Sequence, residues 1–580
     1  MKKISITISI IIAIGIFSGC ENLKYNEVSI YDEQWIFENE DQVSGMLGVV
    51  YSHVRDGYVS RDAGMNGAML SSAADESDFA MSLSYIHRYY NGAWSSINAF
   101  PDTWVNSYSA IYYANDFLEK LDKVYATLEE YKYNDDSGQR PYSEMLKVFE
   151  LFPFQARFLR AFFLFELAKT YGDVPLLTRT VTHDEANQLT RTPVQEVFQF
   201  IVNECDAIME FLPVSYADVR GTHVGRVNRP TVLALKARVL LFAASPLFNP
   251  ANPSEAWRKA AVASKEILDY AEGWNIELSP YASLWRADNY FAVPEIIWFR
   301  YFSDENTFAM WNYPVGNEEA RGGNCPSQNL VDAYEYSNAA PAERRGKSFG
   351  EVNQSTIPAN AYQNLDPRFG MTVAKNGDTW PTVTPYSDYP LETFEGGRNG
   401  PPILNATTTG YYLKKHVNGS NRLVYPAAGS HYTWITYRLG EFYLNYAEAM
   451  FHYMNGDAMA KGEGILDMSA NDAINVLRSR PGIDMPLFGS ETNGNVWEER
   501  YMRERMVELA FEGHRFWDVR RWKKGDQFFT KINTVRIARD GTVTRGPVIS
   551  RGAWHDKYYF YPIPFGELQK AQNLTQNPGW

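Results

Sequence analysis

Apolar residues recur at three- and four-residue spacing over Trp104–Val124, Gln155–Tyr171, Val194–Leu212, Thr231–Ala244, Ser254–Tyr270, Leu439–Met454, Ala470–Arg480 and Val496–Trp522. This is the period of one helix face, so the spacing predicts a helix over each stretch. Several read as hairpins. Ala234, Ala237, Leu241 and Ala244 lead to Pro246, and Ala256, Ala260, Ala263 and Ile267 follow on the next helix. Tyr443, Ala447 and Met450 precede Gly456, then Ala473 and Leu477 precede Pro481-Gly482. Small residues on facing stripes let helices approach closely, and the pairs have the spacing of diverged tetratricopeptide-like repeats. From Gly273 to His431 the helical period stops, turn residues crowd in and aromatics stay frequent. A loop-rich insertion of this length in a compact chain packs on the helical part and carries function.

At 580 residues the chain can bury a large core. Aromatic residues make up 15% of it, with 38 Tyr, 33 Phe and 15 Trp, more rings than a helical core needs. The surplus is expected at a binding surface. A formal charge of −14 with no clustered basic face excludes nucleic acid as a partner. The nine histidines are scattered without metal-ligand spacing, and no nucleophile elbow, phosphate loop or dinucleotide fingerprint occurs, so neither metal nor cofactor is expected.

Lys2 and Lys3 followed by the apolar run Ile4 to Phe17 read as a signal peptide, too short to span a bilayer as a helix. It ends in Phe17-Ser18-Gly19-Cys20, which resembles the lipobox of bacterial lipoproteins and makes Cys20 the lipidated first residue of a membrane-anchored mature chain. Cys205 lies on an apolar helix stripe with Val197, Phe198, Ile201, Val202 and Ile208. A buried free thiol is the reading preferred there to a disulfide with Cys325.

Five stretches carry a family resemblance: QARFLRAFFLFELAKTYGDVPLL (155–177), NRPTVLALKARVLLFAASPLF (228–248), YRLGEFYLNYAEAM (437–450), RERMVELAFEGHRFWDVRRW (503–522) and YYFYPIPFGELQKAQNLTQNPGW (558–580). In this order behind a lipobox they resemble the SusD/RagB family of outer-membrane nutrient-binding lipoproteins. The resemblance implies an all-α fold, a helical bundle with tetratricopeptide-like helix pairs and a loop-rich inserted subdomain. The organisation then reads as a signal peptide (1–19), an N-terminal helical region (20–272), the loop-rich insert (273–431) and a C-terminal helical region (432–580). It also implies a surface-anchored, non-catalytic protein that captures glycans and passes them to a SusC-like TonB-dependent outer-membrane transporter. A peptide-uptake protein of the RagB type is the alternative, and a glycoside hydrolase a more distant one. Within the signatures, Glu508, Glu512, Arg515, Asp518 and Arg521 stand three or four residues apart and are expected to pair along one helix face, while Arg157 and Arg160 partner helix ends or acids.

A sugar offers C–H patches ringed by hydroxyls, so its site combines flat aromatic faces with planar polar side chains. Two Gly-, Ser- and Asn-rich segments have this mixture. Residues 72–96 supply Asp78, Arg88, Tyr89 and Trp94, and residues 302–324 supply Trp311, Tyr313 and Arg321. Trp94 and Trp311 are expected to share one platform, whereas Trp298 and Trp434, flanked by apolar neighbours, belong to the core.

Overall fold

A computed structural model describes residues 40–58, 64–100, 103–131, 142–217, 223–251, 253–286, 293–317, 319–380, 389–417, 421–424 and 429–580. The segment expected to be a signal peptide, with Cys20, lies outside these residues. The principal helices are α1 (Glu40–Ser52), α2 (Thr103–Glu119), α3 (Phe152–Tyr171), α4 (Val194–Ile208), α5 (Arg229–Ala244), α6 (Ser254–Ala271), α7 (Leu439–Tyr453), α8 (Ala470–Arg478), α9 (Gly494–Glu508) and α10 (Arg515–Arg521). From α2 to α8 each packs against the next, α6 against α7 across the intervening loop-rich stretch and its strands, which is the one-dimensional stacking of a helical repeat interrupted by an insertion.

Local chemistry sets these helices. Asn228 caps α5 by accepting from the Thr231 N–H at 3.1 Å, and Pro230 occupies its first turn, where no N–H is needed. Ser469 and Asp472 close α8 with a reciprocal capping box. α3 and α5 are buried on nearly every face, so they are interior helices, and the alanines of α5 set its distance from α6. The expected continuous helix Val496–Trp522 is two helices. The chain breaks between α9 and α10, where Phe511 (φ 59°) and Gly513 (φ 80°) take left-handed conformations that no α-helix continues.

Among the described residues the sheets are small. β1 (Ser77–Phe79) pairs antiparallel with β3 (Asn324–Pro326), and β2 (Ile296–Glu305) with β4 (Ser430–Arg438). β2 and β4 are rich in aromatic and β-branched residues and are buried over most of β4's length, so neither shows the alternation that marks a half-exposed strand. Trp298 and Trp434 on them are buried. The loop-rich stretch does not stand apart. Its Phe308, Tyr334 and Tyr411 share one hydrophobic core with Tyr58 and Met69 before it and Met506 and Phe511 after it. Cys205 and Cys325 are free and buried, and burial pushes the Cys325 thiol up to about 12.

The break between α9 and α10 redirects the charges of the 503–522 signature. Only Asp518–Arg521 (2.8 Å) pairs within one helix. Glu508 instead meets Arg438 (2.8 Å), Arg368 (2.8 Å) and Arg480 (3.2 Å); Glu512 meets Arg438 (2.7 Å) and Lys415 (2.9 Å); Arg515 meets Asp75 (2.8 Å). Glu295 joins Arg438 (2.8 Å) and Arg480 (3.2 Å), and Glu504 joins Arg368 (2.7 Å) and Arg478. These side chains are buried. Burial alone would raise the Glu508 pKa, but Arg480, Arg438 and Arg368 overcome it and hold the carboxyl well below the usual range. At the other end of the array, Arg157 and Arg160 of α3 both grip Glu204 of α4, at 2.7 and 2.8 Å.

Glu76, just before β1, is buried without a cation of its own. Its Oε1 accepts from the Phe511 N–H at 3.3 Å and its Oε2 has no partner. Burial, reinforced by the neighbouring Asp75, pushes its pKa up to about 8. The folded chain therefore keeps a proton here that the unfolded chain releases near the ordinary glutamate value. Stability falls as pH rises through that interval, from about 4.5 to about 8, and levels off above it. Glu76→Gln removes this dependence. Its gain over the parent should be absent at pH 4, grow to a few kcal/mol by pH 8 and then stay constant in denaturant titrations at each pH. A constant offset across pH contradicts the assignment.

Candidate functional site

The two aromatic segments, 72–96 and 302–324, meet in the fold. The β1–β3 ladder sets Asp78 opposite Cys325 and Phe79 opposite Asn324. Asn324 is buried and uses its whole amide. Its Oδ1 accepts from the Met69 N–H (2.9 Å) and the Ser72 hydroxyl (2.8 Å), and its Nδ2 donates to the Gly67 carbonyl (2.9 Å) and to Asn312 Oδ1 (2.7 Å). One side chain thus ties the Gly64–Gly67 turn to the short helix Thr307–Asn312. A fully satisfied buried amide has one low-energy arrangement, so the two segments have a defined relative position.

On the outside of that turn sit two rings. The Tyr85 N–H donates to the Gly64 carbonyl at 2.7 Å, and the Tyr85 ring lies so close to Gly64 that an added Cβ would stand 2.4 Å from it. Trp311 covers Gly67 in the same way, with 2.5 Å between such a Cβ and its own. Both glycines have positive φ (87° and 77°), so glycine is needed there for space and for conformation alike. Tyr85 is 39% exposed and Trp311 half-buried. Each ring carries a guanidinium, Arg88 at 3.4 Å from the centre of Tyr85 and Arg321 at 5.6 Å from that of Trp311. Arg321 also reaches Glu319 at 3.6 Å, while Arg88 donates to no acceptor among the described residues. The result is an open rim of two ring–guanidinium pairs, with apolar faces and outward N–H donors alternating along it.

The structure separates the residues expected from the sequence. Arg88, Trp311 and Arg321 are on the rim. Asp78 is inside, bound to Arg551 (3.0 Å) and the Thr408 hydroxyl (2.8 Å). Tyr89 is buried, stacked on Phe100 at 3.6 Å between centroids and hydrogen-bonded through its hydroxyl to Tyr561. Tyr313 is buried against Trp380 and donates to the Asn421 carbonyl at 3.3 Å. Trp94 is only 4% exposed, enclosed by Tyr89, Phe100, Tyr558, Tyr561 and the last residue, Trp580. Trp94 therefore presents no open face, and the ring that accompanies Trp311 is Tyr85. Sequence reasoning missed Tyr85, although a signal existed. Tyr85–Tyr89 forms a 3₁₀ turn, in which residues three apart share a face. Ile86 and Tyr89 make its buried face, which leaves Tyr85 and Arg88 together outside.

Known proteins place this geometry in context. Residues 27–241 match a family described as starch-binding associating with outer membrane, and residues 294–580 match the SusD family. SusD-like protein P2 of Formosa agariphila is 23% identical over the full length of both chains. A SusD-like protein from Bacteroides fragilis shares the fold with a TM-score of 0.73 at 23% identity, over 95% of this chain and 99% of that one. A laminarin-binding SusD-like protein follows at a TM-score of 0.60 and 19% identity, over 93% and 100%. The helix-rich fold with its small sheets, the full-length relatives and the two tandem matches lead to one assignment: the chain belongs to the SusD/RagB family.

Proposed function

We propose that this protein is a non-catalytic, surface-displayed glycan-binding lipoprotein, anchored through Cys20, that delivers its ligand to a SusC-like TonB-dependent outer-membrane transporter. The observation that carries the reading is the rim of Tyr85–Arg88 and Trp311–Arg321. Aromatic faces accept the C–H patches of sugar rings, and guanidinium N–H groups donate to hydroxyls without demanding a charged ligand. Sparse contacts on an open surface give weak binding, which suits a protein that must release what it captures. The laminarin-binding relative with the same fold supports a glycan rather than a peptide as the ligand class.

Two experiments test this. A glycan array followed by calorimetry on the best oligosaccharide should give micromolar to millimolar affinity, about −8 to −4 kcal/mol. Tyr85→Ala and Trp311→Ala should each weaken it by about 1 kcal/mol, roughly fivefold, with little change in melting temperature. Trp94→Ala should do the reverse, costing about 3–5 kcal/mol of stability. Affinity untouched by either rim substitution rejects the rim as the site, and binding of peptides alone transfers the reading to peptide uptake. For the anchor, Cys20→Ser should move the protein from the membrane to the soluble fraction; retention in the membrane contradicts lipidation at Cys20.

A further inference from the structure

Away from the rim residues, a partly open pocket of about 220 Å³ lies between the end of α1, the start of α2, α3, α5, β4 and the start of α10. A cavity of roughly 150 Å³ already admits benzene, so this one has room for a substituted six-membered ring. Cavities that stay empty are apolar. This one is not.

Its wall has an unusual division of labour. The wall's carboxylates and cations all have partners: Glu166 has Lys169 (2.7 Å), Arg238 has Glu441 (2.7 Å), Asp518 has Arg505 (2.7 Å), Glu512 has Arg438 and Lys415 from behind the wall, and Arg55 and Asp56 are engaged as well. A charged ligand would have to break one of these pairs, which is costly in a buried setting. The neutral polar groups are unspent. The imidazole of His514 has no hydrogen-bond partner among the described residues, and neither have the indole N–H groups of Trp434 and Trp517. Burial, with Arg238, Arg505, Arg438 and Lys169 nearby, pushes His514 well below the usual histidine range, so its ring is neutral and offers one donor and one acceptor. The rings of Trp434 and Phe162 also line it, whereas the Trp517 ring already carries Lys169 (4.6 Å) and stacks with Tyr561.

We infer that this cavity binds one neutral polyhydroxyl molecule the size of a single sugar ring, held by His514 and by the indoles of Trp434 and Trp517, independently of the surface rim. Paired charges make an ion costly, free neutral donors and an acceptor match hydroxyls, and the apolar rings of Trp434 and Phe162 suit a cyclic C–H framework.

The test is calorimetry and crystal soaking of the mature protein with a panel of glucose, galactose, mannose, N-acetylglucosamine and myo-inositol. One member should bind with one-to-one stoichiometry and appear in the cavity within hydrogen-bond distance of His514. His514→Leu should weaken it at least about tenfold, and Trp311→Ala should leave it unchanged. Because His514→Leu can also disturb folding, the soaked crystal of the parent protein is decisive by itself. Water alone in the cavity at millimolar sugar, no binding across the panel, or binding abolished by Trp311→Ala overturns the inference. The last result would place the sugar on the rim, so failure here is distinguishable from failure of the rim itself.

Discussion

The two ends of the chain's architecture, a stacked helical array and a loop-rich stretch with little regular structure, are locked together by buried paired charge. Arg438 ends β4 and reaches Glu295, Glu508 and Glu512; Arg368 extends the cluster to Asp366 and Glu504; Arg478 adds Glu335. Each charge taken from water costs several kcal/mol, and only dense mutual pairing offsets that. The pairing is directional, so it selects one arrangement of the elements it joins. Hydrophobic contact alone, being non-directional, would tolerate several. The clasp lies at the break between α9 and α10, the same place from which Phe511 and Gly513 redirect the chain.

From this frame the binding rim follows. The loop stretch holds the Thr307–Asn312 helix, and the early segment holds the Gly64–Gly67 turn and Tyr85. The β1–β3 ladder and the Asn324 amide bring the two together. Rings seated directly on glycine backbone have little freedom to move inward, so the rim is preorganised and a ligand need not pay to order it. In the pocket lined by His514 the charges are paired and the neutral donors are free, a contrast that separates structural polarity from polarity left for a ligand.

Much of the fold was legible because helical periodicity is a local property. The Gln155–Tyr171, Thr231–Ala244 and Ser254–Tyr270 stretches became helices within a few residues of their expected limits. What periodicity could not show was long-range. Glu512 and Arg515 look like helix-face partners in one dimension, and the left-handed break at Phe511 and Gly513 sends them to Arg438 and Asp75 instead. β4 was hidden because a strand buried on both faces loses its alternation, and β2 because its buried residues Ile297, Trp298 and Phe302 do not alternate. At the candidate site, composition pointed to two segments that the fold brings together, but not to which of their rings stay accessible. Trp94 and Tyr89 sit among polar and turn residues in sequence, yet their neighbours in space come from the C-terminus, Tyr561 and Trp580. Arg88, Trp311 and Arg321 keep accessible surface on the proposed rim.

The clasp is the claim on which the rest stands, and Arg438→Met tests it most directly. The substitution keeps much of the side chain's bulk but removes a cation from between Glu295, Glu508 and Glu512. Chemical denaturation should show a loss of about 3–5 kcal/mol, the cost of leaving buried carboxylates short of a partner. A midpoint and slope indistinguishable from those of the parent protein would contradict the account.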